Sequence, residues 1–259
     1  MTFFQVYFLA FGIIMSMMTF LWLISIKIKN VSIVDLFWGF GFVVAGSVYF
    51  IYTGGFETRK ILLMTLVTIW GLRLSIYLAW RNLGKGEDFR YRKFRKDFGE
   101  DRYWWYSFFS VFMLQGVLMW LISVPLLGAQ FYLGNSLGIL DYLGIIIWII
   151  GFVFEAGGDF QLARFKSDPA NKGKILSTGF WHYTRHPNYF GDAAVWFGYG
   201  LICLSAGSYI PILGTVLMTA LIIKVSGVAL LEKTLQNTKP GYQEYVRRTS
   251  AFLPWFLKK

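Results

Sequence analysis

From Met1 to Ile26 the chain carries no charged side chain, and six further long apolar stretches follow it. A hydrocarbon core of roughly 30 Å takes about 20 apolar residues in a helix. Seven segments meet that requirement: Thr2–Ile26, Val31–Tyr52, Ile61–Trp80, Tyr106–Leu127, Tyr142–Arg164, Ala193–Leu204 with its flanks, and Tyr209–Leu231. The sixth is the weakest and borrows residues from the polar stretch before it. Soluble domains use about half apolar and a quarter charged residues, whereas this chain is 56% hydrophobic and only 15% charged. An all-α, polytopic membrane protein with seven transmembrane helices is the expected class. The first run has no basic start and no small-residue cleavage site, so it reads as a retained helix rather than a signal peptide. The single cysteine, Cys203, sits in an apolar run and excludes an intrachain disulfide.

Basic residues set the orientation. The loop Arg81–Arg102 holds eight and Arg164–Arg185 holds five, while Gly128–Asp141 and Ser205–Ser208 hold none. This alternation puts the N-terminus outside and the C-terminus in the cytosol, with Arg59 and Lys60 as an exception on the outer side. The net charge of +11 then reflects topology and attraction to anionic lipid. Basic residues spread over membrane loops without a binding module do not suit nucleic acid. In "EDFRYRKFRKDFGEDRYWWY" they alternate with aromatic residues, as in a segment lying at the interface. With no internal repeat, residues 1–259 read as one membrane-embedded domain, its cofactor-binding part mainly 155–192 and 224–259.

Ionisable groups at membrane depth cost about 2.5–3.5 kcal/mol on insertion scales, so each calls for a reason. Asp35, in "SIVDLFWGFG", lies a turn inside the second stretch and nearly shares a face with Trp38. It reads either as a helix-start acid favoured by the dipole or as a site residue. In the third stretch Trp70 and Arg73 share a face, with Tyr77 one turn further; Arg73 either snorkels or pairs with Asp35. Glu155, Asp159 and Arg164 crowd the end of the fifth stretch, and Gly157 and Gly158 between the carboxylates serve either helix packing or close approach of a ligand.

Both histidines of the chain fall in "TGFWHYTRHPNYFGD", Thr178–Asp192. His186 precedes a proline and is pushed out of helical geometry; Pro187 suits a first helical position. The amides of Asn188, Tyr189 and Phe190 then form a helix start suited to an anion, with Arg185 and His186 before it and Lys166, Lys172 and Lys174 upstream. A zinc pair from His182 and His186 is disfavoured by Pro187 and by the lack of a following glutamate, so no metal is expected. A polar interfacial turn is the structural alternative.

Together with "SIVDLFWGFG" and "SGVALLEK", this stretch resembles the bacterial branch of the steroid 5-alpha-reductase family, over Val31 to Trp255. The Arg-His-Pro-x-Tyr-x-Gly theme is shared with sterol reductases and isoprenylcysteine carboxyl methyltransferases. The resemblance implies NADPH-dependent reduction of the double bond of a hydrophobic enone, such as a 4-ene-3-ketosteroid, by an integral membrane monomer. Among membrane lipids, the bacterial inner membrane is the implied setting rather than the endoplasmic reticulum. It implies cofactor contacts from Asp159, Arg164, Lys166, Tyr183, Arg185, His186, Asn188, Tyr189, Asp192, Glu232 and Lys233, substrate contacts from Trp38, Trp70 and Arg73, and catalysis by Asp35. The Gln-Glu pair of the animal steroid enzymes is Val34-Asp35 here, and their catalytic tyrosine falls on Trp70, which leaves Tyr77 or Asp35 to act as the acid. The alternative is methyl transfer from S-adenosylmethionine to a lipid or isoprenyl carboxylate. Those enzymes tend to a Glu-Glu pair where this chain has Glu232-Lys233, and a lysine better suits a phosphate.

Overall fold

At some helix starts a polar side chain satisfies the free backbone donors. The computed structural model describes residues 1–134, 136–226 and 241–257, and every regular element among them is helical. In α1 (Phe3–Ile28) the Thr2 hydroxyl accepts from the Gln5 amide while the Gln5 side chain accepts from the Thr2 amide at 2.8 Å, a reciprocal cap that satisfies two orphan donors. There follow α2 (Ile33–Leu36), α3 (Trp38–Tyr52), α4 (Glu57–Asn82) and α5 (Phe89–Phe98). A long rod is built from α6 (Glu100–Ser107), a π-helical turn (Phe108–Met113), α7 (Leu114–Ile122) and α8 (Val124–Phe131). Then come α9 (Ile139–Ser167), α10 (Phe180–Tyr183), α11 (Pro187–Ser205), α12 (Leu213–Ala220), a second π turn (Leu221–Ser226) and α13 (Tyr242–Arg248).

Among the described residues, four helical stretches are long and apolar enough to cross a membrane: Phe3–Ile28, Glu57–Asn82, Glu100–Phe131 and Ile139–Ser167. The second expected stretch is instead divided at Phe37, whose φ of −97° and ψ of 4° separate α2 from the 15-residue α3. Asp35 therefore stands ahead of the long apolar helix and not inside it. The seventh stretch is divided as well, and its end at Leu231, together with Glu232 and Lys233, lies outside the described residues.

Residues 1–137 with 206–214 pack as one compact unit, and 138–205 with 215 onward as another. In the first unit α3 and α4 touch backbone to backbone: a Cβ on Gly39 would stand 2.3 Å from the Gly71 oxygen. The approach lets Ser75 of α4 accept from the Phe40 amide at 2.8 Å, satisfying a donor that the start of α3 leaves open. The π turn follows from the Leu114 amide reaching back to Phe109; such bulges often mark functional sites, and Gln115 comes two residues after its end.

In the second unit α9 and α11 run antiparallel. A Cβ on Gly144 would meet the Gly198 oxygen at 2.8 Å, one on Gly151 the Gly191 oxygen at 2.6 Å, and one on Gly158 the Pro187 ring at 3.0 Å. The α9 glycines recur every seventh residue, the spacing that keeps one seam facing a neighbour, and small residues on that seam let membrane helices approach closely. At one end of α9 the buried Asp141 carboxylate accepts from the Gly138 amide at 2.8 Å and the Ser205 hydroxyl at 2.5 Å. At the other end, the glycine contact lays Pro187 and Asn188 against Gly158.

Candidate active site

In the first unit the chemistry gathers around Asp35. Asn30 Oδ1 accepts from the Ser32 amide and hydroxyl, and Ser32 in turn accepts from the Asp88 amide at 3.1 Å. Glu87 accepts from the Val31 amide at 2.9 Å and from Arg95 through both Nε and Nη2, at 3.1 and 2.8 Å. These bonds dock the loop before α5 onto the turn before α2. Asp88 caps α5 by accepting from the Arg90 amide at 3.0 Å. The helix then delivers two side chains to Asp35: Arg90 Nη2 reaches Oδ2 at 3.0 Å and the Tyr91 hydroxyl reaches Oδ1 at 2.8 Å. Gln115 Nε2 donates to the Tyr91 oxygen at 3.1 Å.

Burial raises the Asp35 carboxyl above its ordinary range, and the Arg90 charge and the Tyr91 hydrogen bond oppose that rise without cancelling it. Burial, reinforced by the Asp35 charge, also raises the Tyr91 phenol. At Asp88 desolvation acts upward, but the Arg90 hydrogen bonds outweigh it and hold the carboxyl low. One arginine thus bridges an acid held ionised and an acid pushed toward protonation, the separation that assigns distinct roles to neighbouring carboxyls.

The other residues expected near Asp35 form a row along α3 and α4. The Trp38 ring meets Phe42 edge-on with centroids 5.6 Å apart, and Phe42 meets the fully buried Trp70 at 5.8 Å. Tyr77 lies between two guanidinium groups, Arg73 at 5.8 Å and Arg81 at 5.5 Å from its ring centre. The ion pair of Asp35 is with Arg90, and the phenol that reaches it is Tyr91. The sequence reading assigned Tyr91 only to an interfacial segment. Its signal is local: Asp88 is a helix cap, and Tyr91 and Arg95 stand one turn apart on one face.

The second unit holds the histidine-rich strap. Gly179, at φ +62°, turns the chain with Gln161 so close that a Cβ would stand 2.4 Å from its amide nitrogen; Gln161 Oε1 accepts from the Phe180 amide at 3.0 Å. Trp181 Nε1 donates to the Gly158 oxygen at 3.1 Å. The strap then pairs with the C-terminal segment: the Arg185 amide donates to Ser250, the Trp255 amide to Tyr183 and the Thr184 hydroxyl to Phe252, each at 2.9 Å, and the Tyr245 hydroxyl donates to Trp181. Helix α11 begins at Pro187, with the Phe190 amide closing onto the His186 oxygen at 3.0 Å. The buried His186 ring stacks on Tyr189 at 5.5 Å, and Asn188 Nδ2 donates to the buried Asp159 at 3.2 Å. Asp192 is half-buried one turn along α11, and Tyr183 is exposed.

Arg185 is only 7% exposed. Its Nη1 donates to the Val246 and Thr249 carbonyls at the end of α13, complementing the negative end of that helix. It staples the C-terminal segment to the strap. Arg185→Ala is expected to cost about 3 kcal/mol, since hydrogen bonds from charged donors contribute about 1.5–3 each and buried carbonyls lose their partner. Thermal unfolding and limited proteolysis of residues 241–257 check this; an unchanged midpoint and cleavage pattern would refute the stapling role.

Arg164 borders a cavity of about 440 Å³ with Gln161, Asp168, Asn171 and Thr178, and Lys166 borders a neighbouring one of about 280 Å³ with Lys172. Among the described residues no group of histidines, cysteines and carboxylates has the geometry to hold a metal.

Over residues 21–249 the chain matches the family described as "Protein of unknown function (DUF1295)", and it belongs to that family. It is 25% identical to an uncharacterised protein of Schizosaccharomyces pombe over 90% of this chain and 75% of that protein. It is 28% identical to a delta(14)-sterol reductase of Mus musculus over 54% of this chain, and 26% identical to a delta(14)-sterol reductase of Ascobolus immersus over 52%. The matches take in 37% and 33% of those two reductases, so the chain spans about a third of their length. No solved structure matches.

Proposed function

We propose that this protein is a membrane reductase that saturates the carbon-carbon double bond of a hydrophobic, sterol-like enone with NADPH. The observation that carries the reading is the pairing of a half-buried Asp35 with a buried Tyr91, an acid pushed toward protonation at 2.8 Å from a phenol. The relatives named as sterol reductases support the same reaction class.

NADPH supplies the hydride, delivered to the beta carbon of the enone. Negative charge then develops on the ketone oxygen, and a positioned donor there lowers the barrier. Tyr91 is that donor: its hydroxyl passes a proton to the enolate side and regains one from Asp35. Arg90 engages Oδ2 of Asp35, leaving Oδ1 to share a proton with the phenol. Gln115 fixes the Tyr91 oxygen. Trp38 offers flat apolar surface to the substrate, the buried Trp70 backs it through Phe42, and Arg73 with Tyr77 borders it.

The second unit suits an anionic dinucleotide. Its donor set combines exposed Arg164, Lys166 and Lys172 at the rims of two cavities with the Asn188 amide, which Asp159 orients. Lys233 and Glu232, outside the described residues, complete the proposed set with Tyr183, His186, Tyr189 and Asp192. Arg185 contributes by holding the strap. Seven crossings, with α3, α11 and the segment from Tyr209 added to the four long helices, put the basic loops in the cytosol where the nucleotide is found.

The test is ligand-dependent stability followed by turnover. Purified protein is expected to gain several degrees of thermal midpoint with NADPH at saturating concentration, because a ligand that binds only the native state stabilises it. Nicotinamide absorbance should then fall on adding a 4-ene-3-ketosteroid. Stabilisation by S-adenosylmethionine and none by NADPH would overturn the reductase and point to methyl transfer.

A further inference from the structure

We propose that α5 is a membrane-surface clasp: its outer face docks on the headgroups of anionic phospholipid while its inner face grips Asp35. The two faces carry different chemistry. Tyr91 is buried on Asp35, and Arg95, one turn on, is spent on Glu87 and on the Tyr103 ring, 4.6 Å from its guanidinium carbon. Arg92, Lys93 and Lys96 fall within an arc of about 100° on the other side of the helix, at 3.6 residues per turn. All three are exposed, and Asp97 is the acid beside them. Lys85 extends the patch into the loop. Among the described residues no ion pair engages these four cations.

Lipid fits this face better than a soluble polyanion because of what surrounds it. Phe89, 69% exposed, lies among the cations, and Phe94 and Phe98 are exposed on the flank. Aromatic rings interleaved with cations are the composition of helices lying in the headgroup layer. The clasp is also tethered at both ends to helices of membrane length: residues 83–88 join it to α4, and Gly99 alone joins it to α6. Exposed Trp80 near the end of α4 and exposed Trp104 and Trp105 in α6 mark the interfacial level. Anionic headgroups attract such a patch within a Debye length.

Docking on one face restrains the helix whose other face holds Tyr91 and Arg90 on Asp35. The consequence for catalysis rests on the proposed role of Asp35; the docking itself does not.

The test uses the full chain in nanodiscs of phosphatidylcholine alone or with about a third phosphatidylglycerol, and reads hydrogen–deuterium exchange. Residues 83–99 are expected to exchange several-fold more slowly with the anionic lipid, while α9 and α11 do not change. The difference should vanish in the R92Q/K93Q/K96Q variant. High salt should remove it in the unmodified protein, an arm that needs no variant. Equal exchange in both lipids, or a difference that survives the triple substitution, would overturn the proposal. So would equal protection by heparin in phosphatidylcholine discs, which would assign the face to a soluble polyanion. Turnover plays no part in the readout, so loss of the reductase reading leaves this result standing.

Discussion

Asp35→Asn is expected to lower turnover about 10²- to 10⁴-fold, the usual worth of a positioned general acid, while leaving the thermal gain from NADPH in place. Asparagine keeps the size and the hydrogen-bonding reach of the side chain, so α5 stays docked, but it cannot resupply the Tyr91 proton. Tyr91→Phe should cost a similar factor, and the double variant little more than either single one, because groups acting as a unit are not additive. Tyr77→Phe separates the two candidate phenols and is expected to stay within a few-fold of the unmodified enzyme. Turnover by the unmodified enzyme should fall on the alkaline side, because the reactive form carries the proton and burial raises the Asp35 carboxyl above its ordinary range. Unaltered turnover in Asp35→Asn would exclude it as the acid, and a large loss confined to Tyr77→Phe would move the donor to α4.

Gly191→Ala is expected to be among the most damaging single methyl additions in the second unit. The new Cβ would stand 2.3 Å from the Glu155 amide nitrogen and 2.5 Å from the Gly151 oxygen. Both are backbone atoms of α9, so no side-chain rotation relieves the clash and the two helices must separate. Overpacking costs about 1–3 kcal/mol where side chains can adjust, and a backbone clash should reach the upper end or exceed it. Gly12→Ala is the control, since a Cβ there meets nothing within 4 Å. Thermal unfolding in detergent distinguishes the two, and equal midpoints would refute the close-packed seam. Widening the seam also withdraws Pro187 and Asn188 from Gly158 and Asp159, so the NADPH gain should shrink in the same variant.

The apolar runs made the helices legible because a stretch of about twenty such residues has few other uses. The break at Phe37 was not, since neither proline nor glycine marks it and the backbone turn shows only in three dimensions. Asp35 announced itself as an acid out of place, yet its partners lie more than fifty residues on, and composition could not choose Arg90 over Arg73. Arg185 was legible only in part. A cation beside a histidine and a helix start suggests a ligand, yet its Nη1 holds carbonyl groups at the end of α13, and backbone acceptors leave no trace in residue identity. Gly157 and Gly158 left packing and a site equally open in the sequence, and the seven-residue seam of Gly144, Gly151 and Gly158 gains its meaning only from the α11 backbone packed against it.

With 15 residues, α3 extends roughly 22 Å at 1.5 Å per residue, well short of a hydrocarbon slab of about 30 Å. Such a shortfall is met by local thinning of the bilayer and by polar layers dipping toward the helix end. In the proposed arrangement of seven crossings, such thinning at the α2 end of α3 would bring water close to Asp35, whose side chain keeps 22% of its surface open. The proposed reaction would consume one proton per turnover, and water at that level would give the carboxyl a short path for recharging from bulk solvent, with no wire of side chains through the oily interior.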